Sequence, residues 1–217
     1  RHEDGTRPVA TPLARRRVSR GETYRRTRTE SGIIMESRFE LTPFLDRIAS
    51  RHVAPAGGSA AAAVGAIGAA LAEMTAIHTL QRGQSNRRTR IVKAKRTLSA
   101  DRSLLGRLSD ADARTVESAF GGSSPDLSES VRKRLVAVPL AIAEVCLDVL
   151  SESRELVSIV TRSVTQDLQT AITLVSGAFQ AALETAERNL DLIEGTGHNQ
   201  LANRVADLAA SAETVEE

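Results

Sequence analysis

Residues 55–80 read PAGGSAAAAVGAIGAALAEMTAIHTL, and the fold turns on this stretch. The adjacent Gly57 and Gly58 admit backbone angles closed to other residues and let another group come close to the main chain. Ser59 belongs to the residue class that caps helices, so a helix is expected to begin at it. From Ala60 to Ala72 the only bulky side chains are Val64, Ile67 and Leu71. A helix this thin cannot fill a core by itself; other helices must pack around it at unusually short range. Its N-terminus, with free N–H groups and the positive end of the dipole, suits an anion or a polar ligand. The run is close to the roughly 20 residues that cross a bilayer. However, Glu73 and His78 interrupt it, and alanine and glycine add little hydrophobicity. A buried central helix with no membrane role is the expectation.

The remaining composition supports helices. Only 2% of the 217 residues are aromatic and none is Trp, whereas strands of a β-sandwich would be rich in aromatic and β-branched side chains. The single cysteine, Cys146, excludes an intramolecular disulfide and a cysteine metal cluster, and suggests a cytoplasmic protein. The four histidines (His2, His52, His78 and His198) are scattered, so no metal site is expected. Residues 1–34 hold nine arginines against four acids; with +2 overall, the rest of the chain is left at −3. The basic character therefore belongs to the beginning, and nucleic-acid binding by the body is not expected. Residues 1–34 lack apolar periodicity and read as a disordered Arg-rich arm, or as an extension upstream of Met35. The domain is expected to occupy 35–217.

Along that domain, Thr42-Pro43 opens a short helix reaching towards His52. After the thin helix and a break at 81–86, an amphipathic pattern runs from about Arg87 to Phe120. Gly121–Pro125 is a loop. A helix from near Ser128 contains Pro139, which should kink it. Ser163 and Gln166 suggest a capping box for a long helix that Gly195-Thr196-Gly197 ends. Leu201, Val205 and Leu208 form a last short helix. The fold class is all-α: a helical bundle around a small-residue central helix.

Candidate chemistry is sparse. P-loop, dinucleotide-binding, zinc-protease and serine-hydrolase signatures are absent. Asp110 and Asp112 project about 200° apart on a helix, so one can face the interior while the other stays in water. A carboxylate in a partly dry cleft has a raised pKa and can serve as general acid or base. Spacing alone leans towards a solvated, arginine-paired face. Arg132-Lys133-Arg134 could hold a polyanionic tail or simply be solvated; Asp167 suits a helix start; Asn189 is either a buried hydrogen bonder or a surface residue.

Taken in order, these features resemble the cyclodeaminase/cyclohydrolase family of folate one-carbon metabolism, which includes the C-terminal domain of formiminotransferase-cyclodeaminase and stand-alone methenyltetrahydrofolate cyclohydrolases. The Pro55–Ser59 turn with its small-residue helix, Leu108–Val116, Val138-Pro139-Leu140, Gln166-Asp167, Gly177-Ala178 and Asn189-Leu190 carry the resemblance. Ala56 stands where the family has its first glycine, which requires a negative φ there. The resemblance implies a homodimeric bundle acting on 5-formimino- or 5,10-methenyltetrahydrofolate with no permanently bound cofactor. It puts the catalytic aspartate at Asp112 or Asp110. It makes Gly57, Gly58, Ser59, Arg132, Lys133, Arg134, Asp167 and Asn189 candidates for holding the tetrahydrofolate. The alternative is an inactive helical dimer of the same fold, kept as a scaffold or regulator.

Overall fold

The computed structural model describes residues 41–83, 87–122 and 127–216. The expected arm at 1–34 and its boundary with the domain lie outside the described residues. Six α-helices make up the described chain: α1 (Thr42–Ile48), α2 (Gly57–Gln81), α3 (Arg88–Phe120), α4 (Glu129–Val157), α5 (Thr165–Asn189) and α6 (Thr196–Glu216). Among the described residues there is no strand, as the composition predicts.

Helices α2 to α5 form an up-and-down bundle. Short connections make each antiparallel to its predecessor. Both α2 and α4 pack between α3 and α5, and α6 lies against α4 and α5. Polar links fix the alignment. Arg90 near the start of α3 pairs with Glu152 near the end of α4 at 2.8 Å, and Arg102 pairs with Glu73 across α2 and α3 at 2.9 Å. The core is built from fully buried side chains such as Ile91, Leu98, Leu105, Leu140, Ile142 and Leu168.

The thin helix does bring its neighbours close. A Cβ on Gly68 would collide with Val175 and lie 3.1 Å from the Ala171 carbonyl oxygen, both on α5. A Cβ on Gly65 would lie 2.9 Å from Cys146 Sγ on α4. α2 is not enclosed on every side, however. Ala60, Ala63, Val64, Ile67, Ala70, Leu71, Met74 and Ile77 form an outward stripe of partly exposed apolar side chains, with Ile67 46% exposed. By length and composition α2 could cross a membrane, yet 44% of its apolar window is buried inside the bundle.

Several local expectations are corrected. The helix begins at Gly57 with Ala56 as its cap residue, and Ser59 sits inside the first turn. Ala56 has φ −124°, so alanine is acceptable where the family has glycine. α1 stops at Ile48, short of His52. No capping box forms at Ser163, because residues 162–164 wind into a 3₁₀ turn and α5 starts at Thr165 without a side-chain cap. α6 spans 21 residues and is not short.

α4 runs through Pro139 without interruption. Proline has no N–H to give, so the carbonyl of Leu135, four residues back, loses its helical donor. Asn189 at the end of α5 supplies the replacement: its Nδ2 donates to Leu135 O at 2.7 Å.

Asp101 is a polar group that opposes the fold. Asp101, on the α3 seam facing α4, has a buried Oδ2 with no hydrogen-bond partner. Burial, and then the charges of Asp148 and Glu152, push its pKa up to about 6 from the ordinary 3.8. The folded protein therefore holds this proton at pH values where the unfolded chain has released it. Stability falls as pH rises through that window, and the penalty is complete above it. Asp101→Asn is expected to stabilise the fold above about pH 6 by on the order of 1 kcal/mol after solvent screening, with no gain below about pH 4. Thermal melts across this pH range check it; an equal shift at all pH values would contradict it.

Candidate active site

The antiparallel pairing of α2 and α3 places the start of α2 beside the last turns of α3. Asp112 lies there, 4% exposed, while Asp110 is exposed. Ser59, fully buried, donates from Oγ to Asp112 Oδ2 at 2.7 Å, and its backbone N–H also donates to the carboxylate. Ser109, one turn before Asp112, donates from Oγ to Ser59 O at 2.9 Å. Gly58 makes the approach possible: a Cβ there would lie 2.7 Å from Asp112 Cγ and 2.9 Å from its Oδ2.

The positive end of α2 is thus occupied by a carboxylate of the same chain. Burial raises the Asp112 pKa, and the two Ser59 hydrogen bonds pull it back without cancelling the rise. A carboxyl group whose pKa is raised in this way is suited to general acid or base work.

Beside this unit opens a cleft of about 300 Å³. α1 contributes Phe44 and Arg47, the connection contributes Ala54 and Pro55, and α3 contributes Ser109, Asp110, Ala113, Arg114 and Glu117. Ser109 touches both the cleft and the Ser59–Asp112 unit. Arg47 is anchored by its Nε, which donates to Ala54 O at 3.0 Å. Sequence reasoning passed over Phe44, Arg47 and Arg114, because nothing in a seven-residue helix or in one arginine of a charged face separates cleft from solvent. Among the described residues no cluster of histidine, cysteine or acidic groups could hold a metal ion.

The remaining candidates are dispersed. Gly57 is exposed at the head of α2 with open space around it. Arg132 lines a separate cavity of about 450 Å³ with Glu129, Leu192, Ile193, Glu194 and Gly195. Lys133 is paired with Glu129 at 2.6 Å, and Arg134 is exposed. Asn189 is committed to Leu135 O. Asp167 is in the first turn of α5. Thr161 N–H donates to Thr79 Oγ1, which sets the start of α5 beside the end of α2. Asp167 therefore stands at the opposite end of the bundle from Asp112.

Fold and site together define an all-helical bundle with a desolvated carboxyl group at one end, next to an open cleft. A family model described as formiminotransferase-cyclodeaminase matches residues 40–207. The formimidoyltransferase-cyclodeaminases of Rattus norvegicus and Sus scrofa are each 31% identical over 192 residues, 80% of this chain and 35% of theirs. The chain thus spans about a third of the length of these curated relatives. The crystal structure of formiminotetrahydrofolate cyclodeaminase from Thermotoga maritima aligns with a TM-score of 0.75 at 25% identity, covering 82% of this chain and 92% of that one. The chain belongs to the formiminotransferase-cyclodeaminase family, over the segment that the sequence motifs pointed to.

Proposed function

We propose that this protein is a folate one-carbon enzyme that releases ammonia from 5-formiminotetrahydrofolate and closes the 5,10-methenyl ring. The observation that carries this reading is the Asp112 carboxyl group, held by Ser59 with its pKa raised by burial. In the reaction N10 attacks the formimino carbon, the C–N bond to the departing nitrogen breaks, and that nitrogen leaves as ammonia. The N10 proton must be removed and the leaving nitrogen must be protonated. A single carboxyl group can do both in turn, as base towards N10 and then as acid towards the leaving nitrogen, and the overall step needs no redox partner. The Thermotoga protein named for this activity, nearly all of which this chain covers, favours ammonia release over hydrolysis of the methenyl ring.

The reading extends to a cytoplasmic homodimer. The outward apolar stripe of α2, in a segment with no charged side chain from Ala60 to Ala72, supports pairing with a second copy. The test is direct. Purified protein given 5-formiminotetrahydrofolate should release ammonia as the ultraviolet absorbance of the methenyl product appears, and should sediment at twice the 23.2 kDa chain mass. Absence of turnover with both this substrate and methenyltetrahydrofolate would overturn the enzymatic reading; hydrolysis of the latter alone would assign ring opening instead. A monomer would remove the dimer.

A further inference from the structure

At about 300 Å³ the cleft beside Asp112 lies at the lower limit for a drug-sized ligand, a size that suits one part of the substrate. Resting on the reading above, we propose that this part is the acidic end, and that Arg47 and Arg114 hold its carboxylates.

Both walls supply a cation. Arg47 projects from α1, and its Nε donates to Ala54 O, which fixes the plane of the guanidinium, while its terminal nitrogens form no ion pair among the described residues. Arg114 projects from α3, two residues beyond Asp112, and takes part in no ion pair among the described residues. Asp110 and Glu117 stand in the same wall as Arg114, and neither forms an ion pair with either arginine. A guanidinium with no ion pair among the described residues is available for an incoming anion. Bidentate arginine–carboxylate geometry suits such recognition. Phe44, Ala54, Pro55 and Ala113 give the cleft the apolar surface on which the ring preceding the carboxylates can rest.

The basic triplet at the start of α4 is less suited. Lys133 is engaged by Glu129, and Arg132 faces a separate cavity and not the cleft beside Asp112. Arg47 and Arg114 therefore replace Arg132, Lys133 and Arg134 as the groups for the acidic tail.

The test uses the full-length protein and calorimetric titration with 5-formyltetrahydrofolate, a reduced folate that the reaction does not consume. The parallel ligand is the same molecule with both tail carboxylates converted to amides. Arg114→Gln is the main variant, since that side chain makes no ion pair among the described residues. It is expected to weaken binding of the acid about tenfold and to leave the diamide unaffected. Arg47→Lys, which keeps the charge but loses the fork, should weaken the acid less. Turnover of 5-formiminotetrahydrofolate by Arg114→Gln should show a raised KM with kcat unchanged. If the wild-type protein binds the acid and R114Q binds it equally well, the assignment of the tail is overturned while the enzymatic reading stands. The assignment is overturned in the same way if R114Q loses affinity for acid and diamide alike. If the wild-type protein binds neither ligand and turns over no folate, the enzymatic reading itself has failed, and the tail assignment with it.

Discussion

Asp112→Asn is expected to lower kcat by roughly 10²–10⁴-fold, the range that a positioned general acid–base contributes, while the melting temperature stays unchanged or rises slightly. The two halves of this prediction have different causes. Asparagine has nearly the same shape and can occupy the same place above Gly58. It offers one oxygen where the carboxylate has two, but the Ser59 hydroxyl can turn from donor to acceptor and accept a hydrogen bond from the new amide N–H, so its hydrogen bond to position 112 is retained in reverse. The Ser59 N–H, which also donates to the carboxylate, can donate to the amide oxygen. The carboxylate's charge is also the unfavourable element in this position, because burial outweighs the hydrogen bonds in setting its pKa. Removing the charge therefore costs the fold little, whereas the amide cannot take up or release a proton near neutral pH. A large loss of stability with activity lost in proportion would show that Asp112 only caps α2. Full activity would show that proton transfer belongs elsewhere, with Asp110 the next residue to replace. Single-turnover kinetics together with thermal melts separate these outcomes.

What could be read before the structure depended on whether a residue's partner was local. The all-helical class, the thin α2 and the extent of α3 follow from composition and 3.6-residue periodicity, which are properties of each segment alone. The Gly57-Gly58 pair announced a close approach without naming what approaches; the group that does so is Asp112, 53 residues away in sequence from Ser59. Spacing showed that Asp110 and Asp112 must part company. Only the packing of α3 on α2 decided which of them would be buried. Pro139 was legible only as a kink; that the Leu135 carbonyl it orphans is met by Asn189 could not be read, because the donor comes from another helix. The expected Ser163 cap failed because a 3₁₀ turn diverts the chain just before α5. α6 was underestimated because its buried stripe continues through Ala209 and Ala212, which favour helix while contributing little periodic contrast. The cleft walls were least legible, since α1 has no buried residue of its own and its value to the site arises from position alone.

Gly58→Ala is expected to reduce kcat on the order of 10²-fold, the effect of shifting a reacting group by about an ångström, without unfolding the protein. The backbone tolerates the change, for Gly58 has no positive φ and lies in a helical turn where alanine is intrinsically favoured by about 1 kcal/mol. The space does not tolerate it. The new methyl would sit within 3 Å of Asp112 Cγ and Oδ2, so either the carboxylate or the start of α2 must move. The side chain is the softer of the two, and its departure breaks the hydrogen bonds from Ser59 Oγ and N–H. Those bonds favour the ionised form; their loss, with burial maintained, raises the Asp112 pKa further, so the pH–rate profile should move to higher pH as its maximum falls. Helix propensity and the lost hydrogen bonds oppose each other in the fold, and the melting temperature should change by only a few degrees. Gly106→Ala provides the contrast. It lies on the exposed side of α3 with nothing near its would-be Cβ, and should leave both kcat and the pH profile unaltered. Should the G58A enzyme keep the wild-type rate and pH profile, the seat that Gly58 leaves for Asp112 plays no part in the chemistry, and the small residue at this turn serves only the packing of α2 against α3.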